Sequence, residues 1–171
     1  MSILFGARDV YTAIHVVLSL MGIAAGMVVV RGLLRSTSLD RWIVVFLATT
    51  AAATLTGFGF PFHRFLPVHA VGIGTVVTLA ATIFARYARR LAGPWRIVFV
   101  LGVVASLYLN VVVLVAQLFM KVPFLSTLAP TLTELPFWIA QGATSVTFAG
   151  LAIAAVKKFR DASLIRFPSS P

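Results

Sequence analysis

The chain has 171 residues, of which 60% are hydrophobic and 11% are charged. Soluble domains average roughly 45–50% apolar and about 25% charged residues, so this composition predicts a chain that is embedded in lipid. The net charge of +10 does not indicate a nucleic-acid-binding protein, because the basic residues fall in short loops and do not form the aromatic-plus-basic surface motif of an RNA or DNA reader. The sequence has no cysteine, which excludes disulfides, thiolate metal sites and a cysteine nucleophile.

Five apolar runs are long enough to cross a membrane as helices, which takes about 20 residues for a ~30 Å hydrocarbon core. In chain order they cover residues 10–30, 42–60, 67–85, 95–119 and 135–156. Asp9 beside Arg8 and an apolar run that continues to Val30 favour a retained first span over a cleaved signal peptide. The sequence therefore predicts an all-α membrane bundle of five transmembrane helices, with residues 1–171 forming one domain.

The Lys and Arg residues predict the direction of insertion. Three of them precede span one or lie in the second and fourth loops, whereas eleven lie in the first loop, the third loop and the tail. The basic side of a membrane protein is usually cytoplasmic, so the N-terminus is predicted outside and the C-terminus inside. Anionic lipid headgroups are the expected counter-charge for the basic loops.

Small and polar residues predict where the helices meet. Gly22 and Gly26 form a GxxxG motif, which permits close contact between helices, and His15 shares their face of span one. The basic half of the bundle is expected to hold apolar and small side chains, with its arginines at the headgroups. Between spans four and five, residues 120–134 predict an interfacial segment with a short helical turn, with Thr133 capping span five.

Three amides in spans four and five are candidate ligand-binding groups. Asn110 and Gln117 lie on span four and Gln141 on span five, and the antiparallel order of the spans could bring Asn110 and Gln141 to the same depth. Hydrogen bonding between helices is one interpretation of these amides. Contact with a quinone or a haem propionate is the alternative.

All three histidines are predicted near the outer interface. His15 lies in span one, His63 in the second loop and His69 at the start of span three. One haem between His15 and His69, or a copper or zinc site formed by two or three of the histidines, is consistent with these positions. A quinone pocket and a proton-linked or structural role remain open. The candidate cofactor residues are therefore His15, His69, Asn110, Gln117 and Gln141, and the candidate metal ligands are His15, His63 and His69.

Three regions resemble a family of small proteobacterial integral-membrane proteins that has no assigned activity. They are residues 55–63 (LTGFGFPFH) with 67–69 (PVH), residues 107–117 (LYLNVVVLVAQ), and residues 121–123 (KVP) with 129–131 (APT). The resemblance implies a bacterial inner membrane and a single compact unit. It implies no reaction.

The sequence favours a non-catalytic protein. All four carboxylates lie in tails, loops or span ends, so a coupled transporter would have no obvious coupling residue, and hydrolase and P-loop motifs are absent. We therefore expect an accessory or interaction subunit with a protein partner in the membrane, and we consider an energy-transducing complex of the inner membrane as that partner. The main alternative is a redox subunit that binds haem b, quinone or copper near the outer face. A small channel or transporter and a membrane enzyme are further alternatives.

Overall fold

The structure is a computed structural model that describes residues 6–37, 39–60 and 67–159. The helices are α1 (Ala7–Leu34), α2 (Asp40–Phe58), α3 (Pro67–Ile83), α4 (Trp95–Lys121), α5 (Pro123–Leu128) and α6 (Leu135–Phe159), and α3 continues into a π-helical turn, Phe84–Ala88. Among the described residues there is no strand, so the predicted all-α class is confirmed. Five of the helices are long and apolar enough to cross a membrane.

The helices extend a few residues beyond several of the predicted spans. Arg31 lies in the last turn of α1, and Lys157 and Lys158 lie in the last turn of α6. Long basic side chains can reach headgroups from the end of a transmembrane helix while their stems cover apolar surface. The apolar run therefore underestimates the length of several of these helices.

Helix α4 is the centre of the bundle, because it packs against α1, α3, α5 and α6, while α2 packs against α1 and α3. The long helices alternate in direction. We call the two ends the basic end, where α1, α3 and α6 finish and α2 and α4 begin, and the histidine end, which is opposite. At the basic end Ser36 donates to the Lys158 carbonyl oxygen, and at the histidine end Phe119 packs against Phe137.

The predicted GxxxG contact joins α1 to α2 and α4. A Cβ atom built on Gly22 would lie 3.0 Å from the Thr50 hydroxyl, and one built on Gly26 would lie 2.8 Å from Leu107 Cδ1 and 2.9 Å from Phe46 Cε2. Phe46 and Leu107 are themselves buried. The two glycines thus create space for side chains of the neighbouring helices at the centre of the core.

The segment between α4 and α6 contains the expected short helix, α5, but a different residue caps α6. The Glu134 carbonyl oxygen accepts the first helical hydrogen bonds, from the backbone N–H groups of Phe137 and Trp138. The Glu134 carboxylate accepts from the Thr131 hydroxyl at 2.7 Å and from the Thr133 N–H at 3.0 Å. The Thr133 hydroxyl contacts the Thr131 hydroxyl instead of capping the helix, so the prediction of Thr133 as the cap was wrong.

Candidate functional sites

His15 contacts the end of α2. Its Nδ1 lies 3.0 Å from the Thr56 hydroxyl oxygen, and that hydroxyl donates to the Ala52 carbonyl oxygen at 2.8 Å or to the Ala53 carbonyl oxygen at 3.0 Å. Because a hydroxyl has one hydrogen, His15 Nδ1 is the donor in the contact with Thr56. In the neutral imidazole, Nε2 is then the nitrogen that can accept a hydrogen bond or bind a metal.

Two aromatic residues surround this contact. Tyr11 donates from its hydroxyl to the Thr56 carbonyl oxygen at 2.6 Å, and the Phe60 ring packs edge-on against both Tyr11 and His15. This cluster ties the start of α1 to the end of α2. Tyr11 was not singled out from the sequence, although it lies four residues before His15 and therefore on the same side of the helix.

The described contacts do not join His69 to His15. His63 lies outside the described residues. His69 is half-buried at the start of α3, and Val76 and Ile83, which continue its face of the helix, are exposed. The inward face of α3 carries Thr75 and Thr82 instead. Within the described part of the chain, no group of three His, Cys, Asp or Glu side chains could hold a metal ion.

The amides bond within the bundle but not to one another. Asn110 Nδ2 lies 3.5 Å from the Thr50 hydroxyl oxygen on α2, whereas Gln141 Nε2 donates to the Val112 carbonyl oxygen at 3.1 Å. Asn110 and Val112 are two residues apart, which is about 200° around a helix. Gln141 therefore contacts α4 close to the level of Asn110, as expected, but the two amides bond to different partners. None of the described hydrogen bonds involves Gln117, which is half-buried.

A polar chain missed by the sequence analysis joins α4 to α6. The Ser145 hydroxyl donates to the Gln141 carbonyl oxygen at 2.8 Å, so the Tyr108 hydroxyl, 2.9 Å from Ser145 Oγ, is the donor in their contact. Gln141 Oε1 is buried and has no hydrogen-bond partner among the described residues. Ser145 lies four residues after Gln141 and so on the same face of α6, but nothing in the pattern of span four singled out Tyr108.

The hydroxyl groups of the long helices are used mainly by the helices themselves. Many donate to the carbonyl oxygen four residues earlier, as serine and threonine hydroxyls can do within a helix. Those that do so are Thr12, Ser19, Thr49, Thr54, Thr56, Thr75, Thr82, Thr144, Ser145 and Thr147. These bonds satisfy polar groups in an apolar setting and leave few hydroxyl hydrogens for a ligand.

Arg86 overturns the expectation that arginines of the basic half lie at the headgroups. Its side chain is only 17% exposed, and one guanidinium nitrogen, Nη2, contacts the Asp40 carboxylate at 2.6 Å. The guanidinium also lies 5.6 Å from the centre of the Phe99 ring. Arg86 follows Thr82 by four residues and so continues the inward face of α3. That spacing could have identified it from the sequence.

Helix α6 has one side that no described part of the bundle covers. Gly142, Val146 and Gly150 follow one another at intervals of four residues, and Ile139 and Ile153 fall within the same arc of about 80°. We call these five residues the open face of α6. A Cβ atom built on Gly142 or Gly150 would have no neighbour within 4 Å, and Val146 is 75% exposed. The buried residues of α6 lie on the opposite side of the helix.

Comparison with known proteins adds no assignment: no family model matches the chain, and neither a curated protein nor a solved structure is significantly similar to it.

Proposed function

We propose that this protein is a non-catalytic integral-membrane subunit whose open face of α6 binds a transmembrane helix of a partner protein. The observation that carries the proposal is the open space at Gly142 and Gly150. Glycine inside a helix costs roughly 0.5–1 kcal/mol relative to alanine, and no described contact of the bundle requires it at these two positions. Small residues in transmembrane helices allow the backbone of another helix to approach closely. Contact with a lipid chain does not need such small residues.

The proposal also includes the membrane in which the protein lies and the complex that it joins. The resemblance to small proteobacterial membrane proteins supports a bacterial inner membrane, and the excess of Lys and Arg at the basic end supports a cytoplasmic position for that end. An energy-transducing complex of this membrane is the assembly that we propose. Within that complex the subunit would pack against its partner and carry out no reaction, because the described polar side chains bond mainly within the bundle.

Substitution at the open face tests the proposal. Gly142→Leu and Gly150→Leu fill space that a partner helix would occupy, because a Cβ atom at either position has no neighbour within 4 Å from the rest of the described bundle. Both variants should lower the mass of the complex extracted in mild detergent from the native membrane, as measured by native electrophoresis. The isolated variants should unfold no more easily than the wild type, because leucine is a better helix former than glycine.

Val77→Leu is the control, because Val77 is 61% exposed on α3, a helix that packs against α2 and α4. It should leave the mass of the complex unchanged. A complex of full mass with both glycine variants would contradict the proposal, and so would an equal loss of mass with the control.

The redox alternative keeps one specific observation in its favour. His15 donates from Nδ1 to Thr56, which fixes the ring and leaves Nε2 able to accept a hydrogen bond or a metal, and a hydrogen bond from the second nitrogen is the usual support of a histidine ligand. The visible spectrum and the metal content of the purified protein test whether it binds haem or copper. A Soret band that disappears in His15→Ala would favour a haem subunit, whereas a colourless, metal-free protein would count against haem and copper.

A further inference from the structure

The basic end of the bundle has a partly open cavity of about 40 Å³ that the exposed residue Thr37 helps to line. Its lining comes from all five long helices or the segments beside them: Val29 and Leu33 of α1, Ile43 of α2, Arg86 of the π-helical turn, Phe99 of α4 and Phe159 of α6. A cavity needs roughly 10–15 Å³ to hold one water molecule, so this one has room for a small guest. π-Helical turns often occur at functional sites.

Arg86 is the charged residue among those that line the cavity. Asp40 contacts its Nη2, but Nε is buried and has no hydrogen-bond partner among the described residues. A buried N–H without a partner costs on the order of 1–3 kcal/mol, and more when the group is charged. A residue that lines the cavity thus carries a buried N–H for which no described residue supplies an acceptor.

Thr37 supplies the second polar side chain of the lining. Its hydroxyl lies 3.4 Å from the Arg35 carbonyl oxygen, a distance at which a hydroxyl hydrogen bond is weak. The hydroxyl can thus turn toward a guest in the cavity. Among the side chains of the lining, the Arg86 guanidinium and the Thr37 hydroxyl can donate hydrogen bonds, and the Thr37 oxygen can accept one. The other side chains of the lining are apolar.

This lining suits an ion that accepts hydrogen bonds and donates none. A phosphate would need donors for four oxygens, whereas one compact anion is satisfied by one or two donors. Water, which could accept from Nε–H and donate to the Thr37 oxygen, is the competing guest. The described basic end carries nine Lys and Arg side chains and one carboxylate, that of Asp40, which raises the local concentration of anions.

We propose that the cavity beside Arg86 binds a single compact monovalent anion of the halide class, held by the Arg86 Nε–H and the Thr37 hydroxyl. The apolar walls strengthen the attraction between the anion and the guanidinium. They also favour the larger halides, because dehydration of a large ion costs less. The expected order of affinity is iodide and bromide above chloride, with fluoride weakest. This site does not depend on the proposed partner at α6.

The test is thermal unfolding of the purified full-length protein in sodium iodide, bromide, chloride, fluoride, gluconate and phosphate at one ionic strength. The unfolding midpoint of the wild type should rise with iodide and bromide concentration and saturate, because a ligand that binds only the folded state stabilises it by mass action. A crystal grown in bromide should show an anomalous peak within hydrogen-bond distance of Arg86 Nε.

Three variants make the result specific. Thr37→Val removes one donor without touching the Arg86–Asp40 pair and should weaken the halide dependence, and Arg86→Gln should abolish it. Arg89→Gln is the control, because Arg89 is an exposed arginine of the same end that contacts the Trp95 ring, and it should respond as the wild type does. If Arg86→Gln does not fold, Thr37→Val and the bromide peak still decide the question.

The proposal would be overturned by equal midpoints in halide and gluconate, by stronger stabilisation in phosphate than in iodide, or by an unchanged halide response in Thr37→Val. A structure that shows only water beside Arg86 Nε in bromide would overturn it as well.

Discussion

At the scale of single residues, glycine separates the packed interfaces of this bundle from its open side. Gly102 on α4 faces α3, where a Cβ atom would collide with the Thr82 hydroxyl and lie 3.3 Å from the Thr78 carbonyl oxygen. Gly142 on α6 meets nothing within 4 Å. The same residue type therefore serves an internal contact in α4 and leaves free space in α6.

Alanine substitution at these two positions should have opposite effects on stability. Gly102→Ala forces α3 and α4 apart and should destabilise the bundle by about 1–3 kcal/mol, as overpacking of a core does. Gly142→Ala should stabilise the isolated protein by up to about 1 kcal/mol through helix propensity. Reversible unfolding in mixed micelles measures both, and a loss of equal size at both positions would contradict the described packing of α6.

At the scale of elements, the start of α6 depends on one ionised side chain. The Thr131 hydroxyl donates to the Glu134 carboxylate and lowers its pKa below the ordinary value of 4.5, with further N–H donors from Thr131 and Thr133. Since the pKa of the folded state is depressed, the bond stabilises the turn above the pKa of the unfolded chain. The contribution is lost as the pH falls through the pKa of the folded state.

The pKa of Glu134 should therefore depend on Thr131. Thr131→Val should raise it toward the ordinary value, and Thr133→Val should raise it less, because the Thr133 hydroxyl acts only through Thr131. Carboxyl carbon NMR shifts recorded between pH 2 and 6 measure the midpoint of each titration. Identical midpoints in the wild type and in both variants would show that the turn does not hold the carboxylate.

The sequence was sufficient for the five helices because each needs only a long apolar run. It also located the GxxxG contact, since Gly22 and Gly26 repeat at the helical period. The hydrogen-bond partner of each polar group was harder to predict, because it depends on the rotation of each helix and on which helices are neighbours. Asn110 reaches Thr50 on α2 and not Gln141, and Arg86 turns into the bundle although its charge favours the headgroups.

At the scale of the whole molecule, the distribution of charge predicts the orientation in the membrane. The basic end should face the cytoplasm, and α5 should lie on the outer surface. Because the chain has no cysteine, single cysteines give a clean labelling test at two exposed positions, Phe124 of α5 and Ala92 of the loop at the basic end.

A maleimide that cannot cross the membrane should label Phe124→Cys in intact cells and Ala92→Cys only after the cells are permeabilised. Labelling of both variants in intact cells would contradict five spans with a single orientation. The reverse pattern would show that the bundle is inserted the other way round.

Photo-crosslinking from the open face of α6 in the native membrane tests the proposed function most directly. A photoreactive residue at Val146, 75% exposed on α6, should give one protein adduct of defined mass. The same residue at Val77, 61% exposed on α3, should give only lipid adducts. Adding Gly142→Leu should abolish the protein adduct from position 146. Lipid adducts alone at both positions would contradict the account, and so would a protein adduct that is indifferent to Gly142→Leu.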